Sequence, residues 1–289
     1  MTTLTRPGHV QFGDLLLGPG TPYGWKKLTG WNELPGIDSG TVPRSGVHGA
    51  YPGALLAQVR TITLDEMVIR AEPGRIGATV AELEAATPLA DDEQPLLVHL
   101  DDRGPLLVFA RVIRREVPVD PAYGVGVATG GAIQFEASDP RRYTPDVLYA
   151  ETRLPEPCLH WHRDDGGDLT RGIPASTGNV TAHNYGRAPS HPVITIRGPV
   201  DRPSVTNTTT GTVLEYDIKL DAVDELTVDT YASTVTLNGT ENLLDAATGN
   251  SHPEETFTLT PGRNRLAFRS ATPPDPSACL SLRWRSAHW

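Results

Sequence analysis

The sequence predicts a mainly β protein of two domains: a β-rich N-terminal half with one helix, and a C-terminal antiparallel β-sandwich. Three observations carry this. Glycine (28) and proline (26) punctuate the 289 residues too often for long helices. From residue 183 onward, short alternating runs are separated by turn dipeptides at regular spacing, as in a sandwich. Only Arg75–Ala86 repeats its apolar residues at a helical period. The length suits one large or two ordinary domains.

In chain order, Val10–Leu17 reads as a strand ended by Gly18-Pro19-Gly20. Leu34–Gly53 is rich in glycine, with an aromatic, Tyr51, among the glycines. It reads as loop that packs on a neighbour. His48 lies in it, but no nucleophile or carboxylate stands at a recognisable spacing, so no catalytic role is assigned. Ala57–Ile69 alternates and forms one or two strands. The helix follows, with Ile76, Val80, Leu83 and Ala86 on one face, Glu82 and Glu84 outward, and Pro88 closing it. Leu96–Leu100 and Leu106–Ile113 flank Asp101-Asp102-Arg103-Gly104, which has hairpin-turn chemistry. Arg111, Arg114 and Arg115 cluster at the end of the second of these strands. The final strand of the half runs through Ile133 to Phe135 and Ala137. Asp139-Pro140 stops it, because proline supplies no N–H and biases its predecessor away from helix. Asp139, Pro140, Arg141, Arg142 and Tyr143 are read as the hinge out of a domain spanning residues 1–143.

Residues 144–182 read as an irregular linker, broken by Pro145, Pro155, Pro157, Gly166, Gly167, Gly172, Pro174 and Gly178. Within it, His160 and His162 stand at i, i+2, followed by Asp164, Asp165 and Asp168. The ligand types suit a metal. No third ligand stands at a characteristic spacing, and the twelve-residue calcium loop is not matched. The expectation is therefore that they bind no metal tightly, and that no cofactor is held.

The C-terminal domain spans 183–289. Its expected strands are Val193–Ile196, Val205–Thr206, Val213–Leu220, Glu225–Asp229, Thr234–Leu237, Thr256–Leu259, Arg265–Phe268 and Leu280–Trp284. The turns are Gly198-Pro199, Thr210-Gly211, Asn238-Gly239 and Pro261–Asn264. Asn238-Gly239 has type I′ chemistry, with φ > 0 at both residues.

Composition narrows the functions. Net charge is −10 with a pI near 5.3, which argues against broad affinity for nucleic acid or anionic membranes. No apolar run approaches membrane-spanning length, and no signal peptide is read at the N-terminus. Cys158 and Cys279 are read as two unpaired small apolar residues of a reducing compartment, with a disulfide between them left open. The sequons at Asn179, Asn207 and Asn238 carry no weight without a secretion signal. No Gly-x-Ser-x-Gly, phosphate loop or His-Glu-x-x-His is present, so the chain is not read as an enzyme.

The order of motifs is more specific than any one of them. Asn184-Tyr185-Gly186, Pro192–Pro199, Asn207–Gly211, Leu226–Thr230, Val235–Gly239, Leu259–Leu266 and Trp284–Ala287 together resemble the second domain of distal tail proteins. These belong to long, non-contractile-tailed phages, as found in actinobacteria. The His48-Gly49-Ala50-Tyr51 loop and the Asp139–Tyr143 exit extend the resemblance to the N-terminal half. It implies a structural virion protein of the tail tip, present in the host cytoplasm during assembly. The N-terminal domain would build a hexameric ring and the C-terminal domain would be a galectin-like sandwich. The ring would join the tail tube to the tail-tip hub and receptor-binding apparatus, with the tape measure protein a further partner. Arg111, Arg114 and Arg115 are then candidate ring-interface charges. A second reading is a carbohydrate-binding module, in which Tyr185, Tyr231 or Trp284 stacks on a host cell-wall glycan. A third, a metal hydrolase at His160 and His162, is disfavoured.

Overall fold

The structure is a computed structural model that describes residues 6–156, 176–272 and 275–289. The chain divides into two compact units, residues 1–145 with Trp289, and residues 146–288. The expected helix and the dominance of strands are both observed. Among the described residues no helix is long and apolar enough to cross a membrane.

In the first unit, the expected strand at 10–17 is a hairpin. β1 (His9–Phe12) and β2 (Leu15–Leu17) turn at Gly13, whose φ of 54° explains the break. β3 (Tyr23–Gly24) and β4 (Lys27–Thr29) follow. Next come four short strands: β5 (Ile37–Ser39), β6 (Val42–Pro43), β7 (Ala50–Tyr51) and β8 (Leu55–Ala57). β9 (Arg60–Arg70) leads to α1 (Ile76–Ala86). β10 (Gln94–His99), β11 (Leu106–Glu116), β12 (Val127–Ala137) and β13 (Arg142–Tyr143) complete the unit. The main sheet runs β2-β1-β10-β11-β12-β9-β3, with β4 also on β9 and β13 also on β11.

Its core forms because alternate residues point to one side. Ile62 and Leu64, then Met67 and Ile69, are buried along β9, and Ile133, Phe135 and Ala137 along β12. Glu66, with φ of 51°, sits between the two β9 pairs, and the buried positions change parity there. α1 adds Ile76 and Leu83 to this core. The helix ends as expected before Pro88, and Thr87 Oγ1 donates to the Leu83 carbonyl at 2.6 Å.

In the second unit, β14 (Leu148–Arg153) and β15 (Asn179–Asn184) begin in the segment expected to be irregular. β14 is an edge strand whose inward residues are only half-buried, so its apolar alternation is weak. There follow β16 (Val193–Arg197), β17 (Val200–Asp201), β18 (Ser204–Asn207), β19 (Thr212–Glu215), β20 (Lys219–Leu220), β21 (Glu225–Asp229), β22 (Thr234–Leu237), β23 (Glu241–Asn242), β24 (Gly262–Arg269) and β25 (Cys279–Trp284). A six-stranded sheet, β14-β25-β16-β21-β22-β23, and a four-stranded sheet, β15-β24-β18-β19, contribute to one core.

The expected strand 213–220 is split between β19 and β20. Tyr216 turns inward, and its hydroxyl donates to the buried Glu254 carboxylate at 3.1 Å. Burial, then the Glu254 charge, raises the Tyr216 pKa above the ordinary tyrosine range. The expected strand at 256–259 is instead a 3-10 turn at Glu254–Thr256, and the extended chain after it makes one bridge, Leu259 to Ser190. At Asn238-Gly239 both φ values are positive, 52° and 75°, and the Thr240 N–H closes on the Leu237 carbonyl at 3.1 Å. Asn184, Asn207 and Asn264 are buried and bond to nearby backbone, Asn264 Nδ2 to the Thr260 carbonyl at 2.7 Å.

Candidate functional site

The feature that a self-contained fold does not explain is the segment between β4 and β9. β5 pairs with β8, and β6 with β7, so residues 37–57 form a two-stranded arm rather than the loop the sequence suggests. Its ladder is continued by Gly40 N–H to the Ala54 carbonyl at 3.2 Å and closed near the tip by Arg44 N–H to the Gly49 carbonyl at 3.1 Å. The strands meet closely at Gly53, where an added Cβ would lie 2.1 Å from the Gly40 carbonyl oxygen.

The arm carries large apolar side chains that stay exposed among the described residues. Leu55 is 71% exposed, Leu56 64%, Tyr51 61% and Val42 59%, and Leu34, Ile37, Val47 and Val59 are also exposed. Isolated exposed apolar residues are ordinary, but a contiguous run on one ribbon marks a contact surface. An isolated two-stranded ribbon is marginal in water. At the tip the Arg44 guanidinium lies 4.7 Å from the Tyr51 ring centroid.

The base of the arm is held far more firmly. Arg60, the first residue of β9, is 1% exposed. Its Nη1 donates to the carbonyls of Gly30 (2.8 Å), Trp31 (3.2 Å) and Glu33 (2.9 Å), and its Nε to that of Pro140 (2.6 Å). One guanidinium thus ties the chain entering the arm to the turn after β12. Burial first, and the nearby Arg142 charge second, lower the Arg60 pKa to about 10. Gly30 is required here: its φ is 78°, and a Cβ would stand 1.8 Å from the Thr61 carbonyl oxygen.

The sequence-predicted hinge lies against this clamp. Asp139 Oδ1 accepts from Arg141 Nε at 2.7 Å and from Arg141 N–H at 3.1 Å, and its Oδ2 from the Tyr143 hydroxyl. The Arg141 and Asp139 side chains are about nine-tenths buried. The Arg142 guanidinium lies 5.6 Å from the Trp31 ring centroid. Sequence reasoning missed Arg60. Its signal was parity, since Arg60 shares the buried face of β9 with Ile62 and Leu64.

The predicted interface arginines all have partners within their own unit. Arg111 pairs with Glu136 at 2.9 Å and Arg114 with Glu116. Arg115 donates to the Thr87 carbonyl at 2.8 Å, where it caps the C-terminus of α1. His48 is exposed on the arm. His160, His162, Asp164, Asp165, Asp168 and Cys158 lie outside the described residues, and Cys279 is free. Among the described residues no group of three or more His, Cys, Asp or Glu is placed to hold a metal ion. Of the aromatics considered for sugar stacking, Tyr185 is exposed, but Trp284 is buried and donates its indole N–H to the His183 carbonyl at 3.1 Å.

Residues 185–287 match the siphovirus-type tail component family, C-terminal domain. The fold is similar to that of the SPP1 Dit protein (gp 19.1), described as a paradigm of the hub adsorption apparatus in phages infecting Gram-positive bacteria. That likeness has a TM-score of 0.63 at 13% identity and covers 95% of this chain and 97% of that one. It is also similar to chains of the phage P2 baseplate in its activated conformation, with Ca (TM-score 0.50) and with Sr (TM-score 0.51). Each is 10% identical and covers 95% of this chain and 97% of the other. No curated protein matches the sequence. The family match supports a siphovirus-type tail component across the second unit, and the solved structures show that the fold is shared along the whole chain.

Proposed function

We propose that the chain is a distal tail protein that forms a closed hexameric ring at the tip of a long, non-contractile phage tail. The observation that carries this reading is the apolar arm, which leaves a row of large side chains exposed on a ribbon clamped at its base. Laid on the next copy, such an arm makes a head-to-tail contact, and head-to-tail contacts leave no open ends only when the rotation closes. Arg111 and Arg114, both substantially exposed, are the candidate interface charges of this reading, and Arg115 holds the C-terminus of α1. The ring joins the tube protein to the tail-tip hub and meets the tape measure protein. The Asp139–Tyr143 segment serves as the hinge toward the sandwich. The protein is made in the host cytoplasm and ends in the virion. It is not an enzyme and needs no cofactor. An actinobacterial host rests on the sequence resemblance alone.

The test is native mass spectrometry over a concentration series, with electron microscopy of assembled tail tips. Six copies are expected, and Leu55→Asp/Leu56→Asp should abolish assembly while leaving the monomer folded. A ring of another number, or a double variant that assembles like wild type, overturns the reading.

A further inference from the structure

The two sheets of the sandwich present opposite outer surfaces. On the six-stranded sheet the outward charges balance: Arg197 pairs with Glu225 at 2.8 Å, and Arg153 shares β14 with Glu151. On the four-stranded sheet they do not. β24 alternates exposed Arg263 and Arg265 with buried Asn264 and Leu266, so both guanidinium groups stand on the outer face, about 7 Å apart along the strand. Neither side chain has a hydrogen-bonding or ionic partner among the described residues. Arg269, the next cation on that face, is occupied by the Gly178 carbonyl and Asn179. The only carboxylate that the face's strands contribute, Glu215, lies on the far edge strand β19 and bonds to Thr248 and Asn250. In a chain of net charge −10 this is a local reversal of sign.

The neighbours of these arginines are suited to sugar. In the β15–β24 register Thr181 stands opposite Arg265 and His183 opposite Arg263. The His183 and Tyr185 rings lie 4.2 Å apart at a tilt of 38°, and Tyr185 is 70% exposed. An open groove of about 380 Å³ runs beside Arg265, with Thr181 and Thr208 in its lining. An aromatic plate, hydroxyls and two unpaired guanidinium groups in one row match a polymer of sugar rings that carries acidic groups. The plate takes a ring face, the hydroxyls exchange hydrogen bonds, and each guanidinium takes an oxyanion in forked geometry.

We propose that the outer face of the four-stranded sheet binds an acidic glycan, a sugar polymer bearing carboxylate or phosphate groups, through Arg263 and Arg265 with Tyr185 as stacking platform. This deepens the tail-tip reading, which supplies the place where such a polymer is met. The binding itself needs only the sandwich surface.

The experiment is calorimetric titration of the full-length protein with five probes: polygalacturonate oligomers, a phosphate-bearing mannan, neutral dextran, duplex DNA and inorganic polyphosphate. One of the two acidic glycans should bind, more weakly as salt rises, and dextran should not. Which one binds identifies carboxylate or phosphate as the group read. Arg263→Ser/Arg265→Ser should lower that affinity at least about tenfold, with an unchanged melting temperature. Arg153→Ser/Arg283→Ser on the opposite sheet should leave it intact. Tyr185→Ala should weaken the glycan and not inorganic polyphosphate. No binding of either acidic glycan at low salt, equal binding by the Arg263/Arg265 variant, equal binding of dextran, or tighter binding of DNA would each overturn the proposal. The arm variant Leu55→Asp/Leu56→Asp should bind the glycan normally even as a monomer, which separates failure of this site from failure of the ring.

Discussion

The arm and the sandwich are both built from short antiparallel strands, yet they dispose of apolar side chains in opposite ways. In the sandwich, Val205, Leu214, Leu266 and Phe268 turn inward to a shared core. In the arm there is no second layer among the described residues, and Val42, Leu55 and Leu56 remain exposed. Strand pairing satisfies the facing backbone groups in both cases. Only the sandwich also satisfies the side chains. The arm's ladder is therefore not a folded element in its own right, and it draws its rigidity from the Arg60 clamp beneath it.

That contrast can be broken first at the clamp. Arg60→Met leaves the carbonyls of Gly30, Trp31, Glu33 and Pro140 without their donor and should destabilise the first unit by roughly 3 kcal/mol or more. Differential scanning calorimetry should show an earlier transition for that unit, with the sandwich transition unmoved. A single unshifted endotherm would refute the role given to Arg60.

Inside the sandwich the matching test is Tyr216. In the fold its pKa is raised, by burial first and Glu254 second. The unfolded chain therefore loses this proton near pH 10, while the folded chain keeps it. Above pH 10 the folded state binds more protons than the unfolded one, so stability falls as pH rises. Tyr216→Phe should cost about 1–2 kcal/mol at neutral pH through the lost hydrogen bond. It should also flatten the alkaline part of a denaturation series, and an equally steep fall in the variant would count against the assignment.

A smaller effect is expected at the β22–β23 turn. Gly239→Val places a β-branched residue at a φ of 75° and should cost about 1 kcal/mol, read as a lower midpoint in urea. The smallest effect of all belongs to the arm. Leu55→Asp/Leu56→Asp should change monomer stability by no more than about 0.5 kcal/mol, because those side chains contact almost nothing in their own chain. A large loss would show that the arm is packed after all.

How much of this was legible in the sequence follows from where the determinants lie. β21 and β22 fall at the expected residues because their alternation is local and strong. The Asn238-Gly239 turn and the end of α1 are likewise set by adjacent residues. The arm was not legible: Ile37 pairs with Ala57, twenty positions apart in number, and the glycines and prolines between them read as loop. β14 escaped because its inward residues, Leu148, Ala150 and Thr152, are only half-buried at a sheet edge and prolines crowd the segment. Near the candidate site, the end of β12 at Ala137 was visible through Asp139-Pro140. Arg60 was masked by the usual reading of a lone arginine as a surface residue.

The exposed arm also sets a time limit on the free chain. A narrow ribbon with Leu55 and Leu56 uncovered and edges open to further pairing is a template for unordered association. If the proposed ring forms through the arm, ordered assembly and clumping compete for the same strip, and both quicken with concentration. The charge of −10 on every copy slows all encounters alike. What favours the ordered outcome is the stiff base at Arg60, which presents the strip in one orientation and makes one docking pose faster to reach than the rest.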